Sequence, residues 1–203
     1  MPKVSVEYSE ARRIQIIDAA YRCFARKGFH QSTMRDIFEE AQLSPGAIYH
    51  YFRSKDDIIA ASFERDLQRS ISLFQEALDE ADSILALEGL IAFLFRGLAS
   101  AAELGANRVN IQGWSEALLN PKLLNAINNA FHNYRTMLIQ LIRQAQQRGV
   151  VSTEVDPEAV ARILQSLYLG LELQTAWEPG AVDVSQYITA VNALLRGTFR
   201  QTP

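Results

Sequence analysis

The 203-residue chain is poor in the residues that build metal and disulfide frameworks, with one cysteine and three histidines. Cys23 cannot form an internal disulfide, and the histidines make no cluster of metal-ligand spacing, so neither a structural metal nor a cofactor is expected. Long apolar runs are also missing. The greasiest stretch, 90–95, stops at Arg96, and no run of signal-peptide length lies between Val4 and Arg12. Membrane spanning and export are therefore not expected, and a cytoplasmic protein is. Nucleophile elbows, phosphate-cradling glycine loops and Ser/His/Asp arrangements are absent, with His132 the single histidine beyond His50. An enzyme that uses the later part of the chain as an active site has little to stand on.

What is present is ordinary globular material. Hydrophobic residues make up 48% and charged residues 21%, enough apolar surface for a real core. At about 150 residues per domain, the length allows one large domain or two small ones. The net charge of −3 hides an asymmetry: residues 1–55 hold nine Lys/Arg against six Asp/Glu, and the remainder eleven against seventeen. A basic front on an acidic body suggests an anionic partner for the front only.

Proline marks the architecture. Ser44-Pro45, Asn120-Pro121 and Asp156-Pro157 each put a capping residue before a proline, the signature of a helix start, because proline lacks only an N–H that would have no helical partner there. No long stretch alternates at period two, so the chain reads as all-α. Ile14, Ile17, Tyr21 and Phe24 predict a first helix from about Ser9 to Lys27, closed at Gly28. Thr33, with Asp36 at the capping-box position, opens a short helix to Ala41, and Ser44-Pro45 opens another to about Tyr51. Ser54 caps a long helix striped by Phe63, Leu67, Ile71, Phe74 and Leu78. Five more are expected over 83–103, 107–119, 121–148, 157–177 and 183–199, making nine. The natural division is 1–53 and 54–203.

Two short helices, Met34–Ala41 and Pro45–Tyr51, joined by Gln42-Leu43 behind a longer helix, have the layout of a helix-turn-helix, whose second helix enters the major groove. Thr33 and Ser44 stand at helix N-termini, where hydroxyls and N–H groups meet phosphates, and Tyr49, Tyr51 and Lys55 add polar arms. Arg35 can reach a guanine edge with its bidentate fork. Pro45, Gly46 and Ala47 give the leading tip little bulk, so backbone can approach phosphate or a thymine methyl. His50 divides evenly between a DNA contact and a solvated position. Ile37, Phe38, Leu43, Ile48 and Phe52 have core spacing, and Cys23 beside Phe24 reads as a small core residue. Tyr49 and Tyr51 cannot both point inward.

The run Thr33-Met34-Arg35-Asp36-Ile37, then Leu43 through Phe52 and Ser54-Lys55, resembles the DNA-binding domain of TetR-family transcriptional regulators. Trp114 to Leu118, Asn120-Pro121 and the stretch on to Gly149 are similar to the body of many members. The resemblance implies a ligand-responsive homodimer, commonly a repressor, with three small helices on an inverted-repeat operator of double-stranded DNA and six forming the effector pocket and dimer interface. It implies phosphate contacts for Thr33, Tyr49 and Lys55, and base-facing positions for Arg35, Pro45, Ala47 and Tyr51. Many members carry threonine where this chain has Ala47, so a hydroxyl contact is lost. It also implies that a small-molecule effector swings the long 54–78 helix and moves the two recognition helices off the groove register. A helix-turn-helix-shaped scaffold that binds no DNA is the remaining alternative, opposed by the polar tip and Lys55.

In the body, Val184, Ile188, Val191, Leu195 and Thr198 form one apolar seam, and Val160, Ile163, Leu164, Leu167 and Leu171 another. These two are expected to pair between subunits as a four-helix bundle. Glu172 lies one turn beyond Tyr168 on the same face, and a buried carboxylate needs a partner. An arginine such as Arg135 or Arg143, surface water, or a ligand can supply it. In the last case Tyr168 and Glu172 face a pocket walled by Phe93, Trp114, Met137 and Trp177, suited to an apolar effector with a hydroxyl or cationic group.

Overall fold

The computed structural model describes residues 6–79, 83–103, 105–149 and 151–199. They form nine α-helices: α1 (Val6–Lys27), α2 (Met34–Ala41), α3 (Pro45–Tyr51), α4 (Lys55–Asp79), α5 (Ser83–Glu103), α6 (Ala106–Ala117), α7 (Pro121–Gln147), α8 (Pro157–Trp177) and α9 (Val184–Phe199). No described residue lies in a strand, and no described helix is long and apolar enough to cross a membrane.

Helix starts follow the caps. Thr33 Oγ1 accepts from the Asp36 N–H and the Asp36 carboxylate accepts from the Thr33 N–H at 2.8 Å, a complete capping box. Ser44 accepts from the Ala47 N–H ahead of Pro45, and Asp156 from the N–H groups of Glu158 and Ala159 ahead of Pro157. Asn120 accepts from Lys122 and Leu123 ahead of Pro121. Each satisfies N–H groups that the first helical turn leaves without carbonyls.

Packing gathers the chain into two units, Met1–Arg65 with Leu104–Asn128, and Asp66–Glu103 with Asn129–Pro203. This differs from a linear division at 53/54. Ile58 and Ile59 of α4 are fully buried, and α6 joins the same unit. The approach is close because residue 113 is glycine: a Cβ there would stand 3.3 Å from Ile59 Cγ2.

In the first unit α1 buries Ile16, Ile17, Ala20, Cys23 and Phe24, with Ile37, Ile48, Phe52 and Val109 also buried. Ile14, expected on that face, is exposed instead, because the buried stripe runs through the neighbouring Ile16 and Ile17. Leu67 and Leu78 of the α4 stripe lie outside the described side chains, whereas Phe74 is buried in the second unit.

The second unit sets α5 against both α8 and α9. Its core contains Leu87, Leu90, Ile91, Phe95, Leu138, Leu141, Val160, Leu164, Leu171, Ile188, Val191 and Leu195. Here the structure corrects the sequence reading: the seams expected at a subunit interface are the inner faces of α8 and α9, buried in their own chain. Val184 and Leu167 pack against the same core, Ile163 alone of those described turns outward, and Thr198 lies outside the described side chains. The seven-residue pattern marks an apolar face without saying what covers it, and α5, apolar along its length, takes that place. Glu88 of α5 closes the contact with a two-toothed ion pair to Arg196 of α9, at 2.6 and 2.7 Å.

The capping box has a measurable consequence. Lys27, followed by the backbone and hydroxyl of Thr33, holds the Asp36 carboxyl well below the ordinary carboxylate range. Stabilisation from a depressed carboxyl is complete above its unfolded value of about 3.9 and is lost as pH falls further. Denaturant midpoints should therefore show Asp36→Asn less stable than wild type at pH 7, with the gap narrowing below about pH 4. A gap unchanged down to pH 2 would show that the charge contributes nothing.

Candidate nucleic-acid interface

The α2–α3 corner is built by one left-handed residue. Gln42, at φ 55°, ends α2 and sends its N–H to Glu39 and Phe38, and the Leu43 N–H returns to the Phe38 carbonyl. Glutamine, unbranched at Cβ, adopts this region at less cost than a β-branched residue would. The turn aims α3 so that Ile48 and Phe52 are buried, while Ser44, Pro45, Gly46, Tyr49 and His50 remain exposed and Ala47 and Tyr51 are half-buried. A Cβ at Gly46 would meet nothing within 4 Å, so the tip is open on its outer side. Tyr49 is braced edge-on against Phe38, with ring centroids 5.3 Å apart, and His50 stands edge-on to Tyr51 at 5.0 Å. Of the two tyrosines, Tyr49 is the more exposed, and neither is fully buried.

The cap residues spend their side chains locally: Thr33 Oγ1 bonds within the capping box, and Ser44 Oγ accepts from Ala47 at 3.3 Å. Arg35 is exposed and pairs through Nε with Glu39 one turn on, at 3.0 Å. Such a surface pair is worth less than about 1 kcal/mol, so it yields readily to a stronger acceptor. Lys55 is the sequence candidate whose surroundings were least foreseeable. Its ammonium donates to the Phe29 carbonyl at 2.7 Å, reaches the His30 carbonyl at 3.5 Å and lies 4.6 Å from the centre of the Phe29 ring. Burial pushes its pKa down, and Asp56 and Glu116 push it back up.

Residues from α6 complete this unit, and nothing in the sequence announced them. Tyr21 donates to Asn110 Oδ1 at 2.8 Å and lies 2.9 Å from Ser62 Oγ. The Phe29 N–H donates to Gln112 Oε1 at 2.6 Å, and His30 is 3.4 Å from Glu116. At the next turn Asn120 donates to Asp56 at 2.7 Å and Lys122 to Asp57. These pairs are 41 to 89 residues apart in sequence, beyond the reach of any local pattern.

The ligand candidates divide. Trp114 belongs to the first unit; Phe93, Met137, Tyr168, Glu172 and Trp177 belong to the second. Glu172 is 2% exposed and Tyr168 is half-buried, its ring 6.1 Å from Phe95, which in turn lies 5.5 Å from Tyr187. Phe93 and Trp177 stand at the surface, 52% and 71% exposed. Arg135, one expected partner of Glu172, turns to Gln165, His132 and Glu158 instead. Among the described residues no group of three or more His, Cys, Asp or Glu could hold a metal ion.

Residues 16–62 match the sequence model of bacterial regulatory proteins of the tetR family, and residues 86–200 that of the BetI-type transcriptional repressor C-terminal region. Escherichia coli (strain K12) UidR, an HTH-type transcriptional regulator, is 25% identical over 190 residues, covering 93% of each chain. Among solved structures, Salmonella enterica GusR is 26% identical with a TM-score of 0.73, covering 97% of this chain and 98% of its own. A Saccharomonospora viridis protein in complex with choline is also 26% identical, with a TM-score of 0.73, covering 96% of this chain and all of its own. With a helix-turn-helix presented on buried Ile48 and Phe52 and both halves of the chain matched, the protein belongs to the TetR family, as a DNA-binding transcriptional repressor and not an enzyme.

Proposed function

We propose that the protein is a cytoplasmic homodimer that represses transcription from an inverted-repeat operator and is released by a small organic effector. The reading head is 1–53 and the effector and dimerisation body 54–203. The observation that carries the reading is α3 itself, apolar on the side sealed by Ile48 and Phe52 and open at Ser44, Pro45, Gly46, Tyr49 and His50. Thr33, Ser44, Tyr49 and Lys55 touch phosphates; Arg35, Pro45, Ala47 and Tyr51 face bases, and His50 adds a contact at the edge. The tip of α3 is small enough to bring its backbone against the groove, and with Ala47 in place of a hydroxyl, a thymine methyl is the natural neighbour.

Dimerisation is supported by what α8 and α9 leave uncovered. Ile163 and Leu194 are 59% and 61% exposed, and Ala190, Ala193 and Gly197 are exposed beside Leu194. Small residues allow close helix approach and the two large ones supply area, the composition of a helical interface between copies. The effector class is supported by Tyr168 beside Phe95, which in turn meets Tyr187, by Met137 packed against the same core, and by the buried Glu172 one turn beyond Tyr168 on α8. Rings and a carboxylate suit a ligand with a cationic or hydroxyl-bearing end, and the related choline-bound protein carries a cation of that kind.

Two outcomes are expected. Selection from random duplexes should enrich a site with dyad symmetry. Arg35→Ala should relax preference at one symmetric position, costing on the order of 1–3 kcal/mol there, whereas Lys55→Ala weakens every sequence alike. If no sequence is enriched even at low salt, the DNA-reading assignment falls. Light scattering at micromolar concentration should give a dimer for wild type and a monomer for the Ile163→Glu, Leu194→Glu double variant; a wild-type monomer would overturn the proposed interface.

A further inference from the structure

The Lys55 ammonium does not stand free at the surface. An ammonium has three N–H donors and no acceptor. Here one donor goes to the Phe29 carbonyl at 2.7 Å and a second lies within reach of the His30 carbonyl, which leaves one. The residue that presents this carbonyl is itself held on its other side, because the N–H of Phe29, in the preceding peptide, donates to Gln112 Oε1 at 2.6 Å. Gln112 lies on α6, within the stretch matched by the BetI-type C-terminal region, and Phe29 lies within the stretch matched by the DNA-binding region. Gly28, at φ 83°, turns the chain into this peptide, and a Cβ there would stand 3.7 Å from Gln112 Oε1. Phe29 is buried, so the residue is gripped by its side chain, its N–H and its carbonyl together.

We propose that Gln112 is a positioning residue for DNA binding: through the backbone of Phe29 it fixes the Lys55 ammonium so that its remaining donor meets a phosphate. The proposal rests on the assignment of Lys55 to a phosphate in the preceding section and adds to it a residue that never touches DNA. Orientation matters because a lysine otherwise loses much of its rotamer freedom on binding. A side chain already held by carbonyls has less to lose. Since α6 supplies the acceptor, a displacement of α6 relative to α1 reaches this phosphate contact without any change in α3.

The test uses the full-length protein and the duplex enriched above, with affinity measured as a function of salt. Each phosphate contact steepens the dependence of log affinity on log salt by about 0.9. Lys55→Ala should lower the slope by about that amount per half-site and weaken binding about tenfold. Gln112→Leu should lower the slope by a comparable step, with the double variant no worse than Lys55→Ala alone. Gln112→Glu, which keeps an acceptor at the same reach, should retain the wild-type slope. Amide hydrogen exchange on the wild type should show the Phe29 N–H protected, whatever the Leu variant does to folding. A Phe29 amide that exchanges freely, a wild-type slope in folded Gln112→Leu, or additive losses in the double variant would overturn the relay while leaving Lys55 a phosphate contact. A wild-type slope in Lys55→Ala would instead overturn the phosphate assignment, and the relay with it.

Discussion

A helix of seven residues has no stability of its own in water, because the cost of nucleation is not recovered in two turns. α3 therefore exists only as far as its burial allows. Ile48 and Phe52, with Ile37 of α2 and Phe24 of α1, are removed from solvent, and at about 1.5–3 kcal/mol per large apolar side chain this outweighs anything the helix gains from its own hydrogen bonds. The exposed face follows from the buried one. With Ile48 and Phe52 fixed inward, the period of the helix leaves Tyr49 and His50 outward without further specification. Caps refine where α3 begins, and the left-handed Gln42 sets the angle at which it leaves α2, but the apolar seat decides which residues reach a groove.

Much of this could be read from residues alone because the determinants are local. A serine before a proline, a threonine three residues before an aspartate, and apolar residues at three- and four-residue intervals each act within one or two turns. The structure reproduces the short helices and their caps to within a residue or two. The ends of longer helices, such as α1 at Val6 rather than Ser9, shift more, since a frayed end is decided by small differences in propensity. Burial of Ile37, Ile48 and Phe52 follows from the same spacing.

What the sequence could not carry is who covers whom. The stripe through Ile188, Val191 and Leu195 is equally suited to a second copy and to α5, and α5 has it. Leu194, one position away, looks like part of the same pattern and faces the other way. Likewise no spacing links Phe29 to Gln112 or Tyr21 to Asn110, although these hydrogen bonds join α6 to the helix-turn-helix unit. Lys55 reads as a solvated basic arm because nothing near it in sequence shows the carbonyls it meets. In each case the missing information is a contact between distant segments, and side-chain type alone is neutral about it.

The glycine at 113 bears on how parts of such proteins can be exchanged. With only a hydrogen facing Ile59, α4 and α6 are spaced by the absence of a side chain, a fit that holds for this pair of helices and not for helices in general. A chimera joined at residue 53 would keep α1, α2 and α3 but set them against a foreign α4 and α6, whose residues opposite Phe29, Tyr21 and position 113 were chosen for other neighbours. Grafting this reading head onto another body would carry fewer mismatches if Leu104–Asn128 travelled with it, so the transferable piece is discontinuous in sequence.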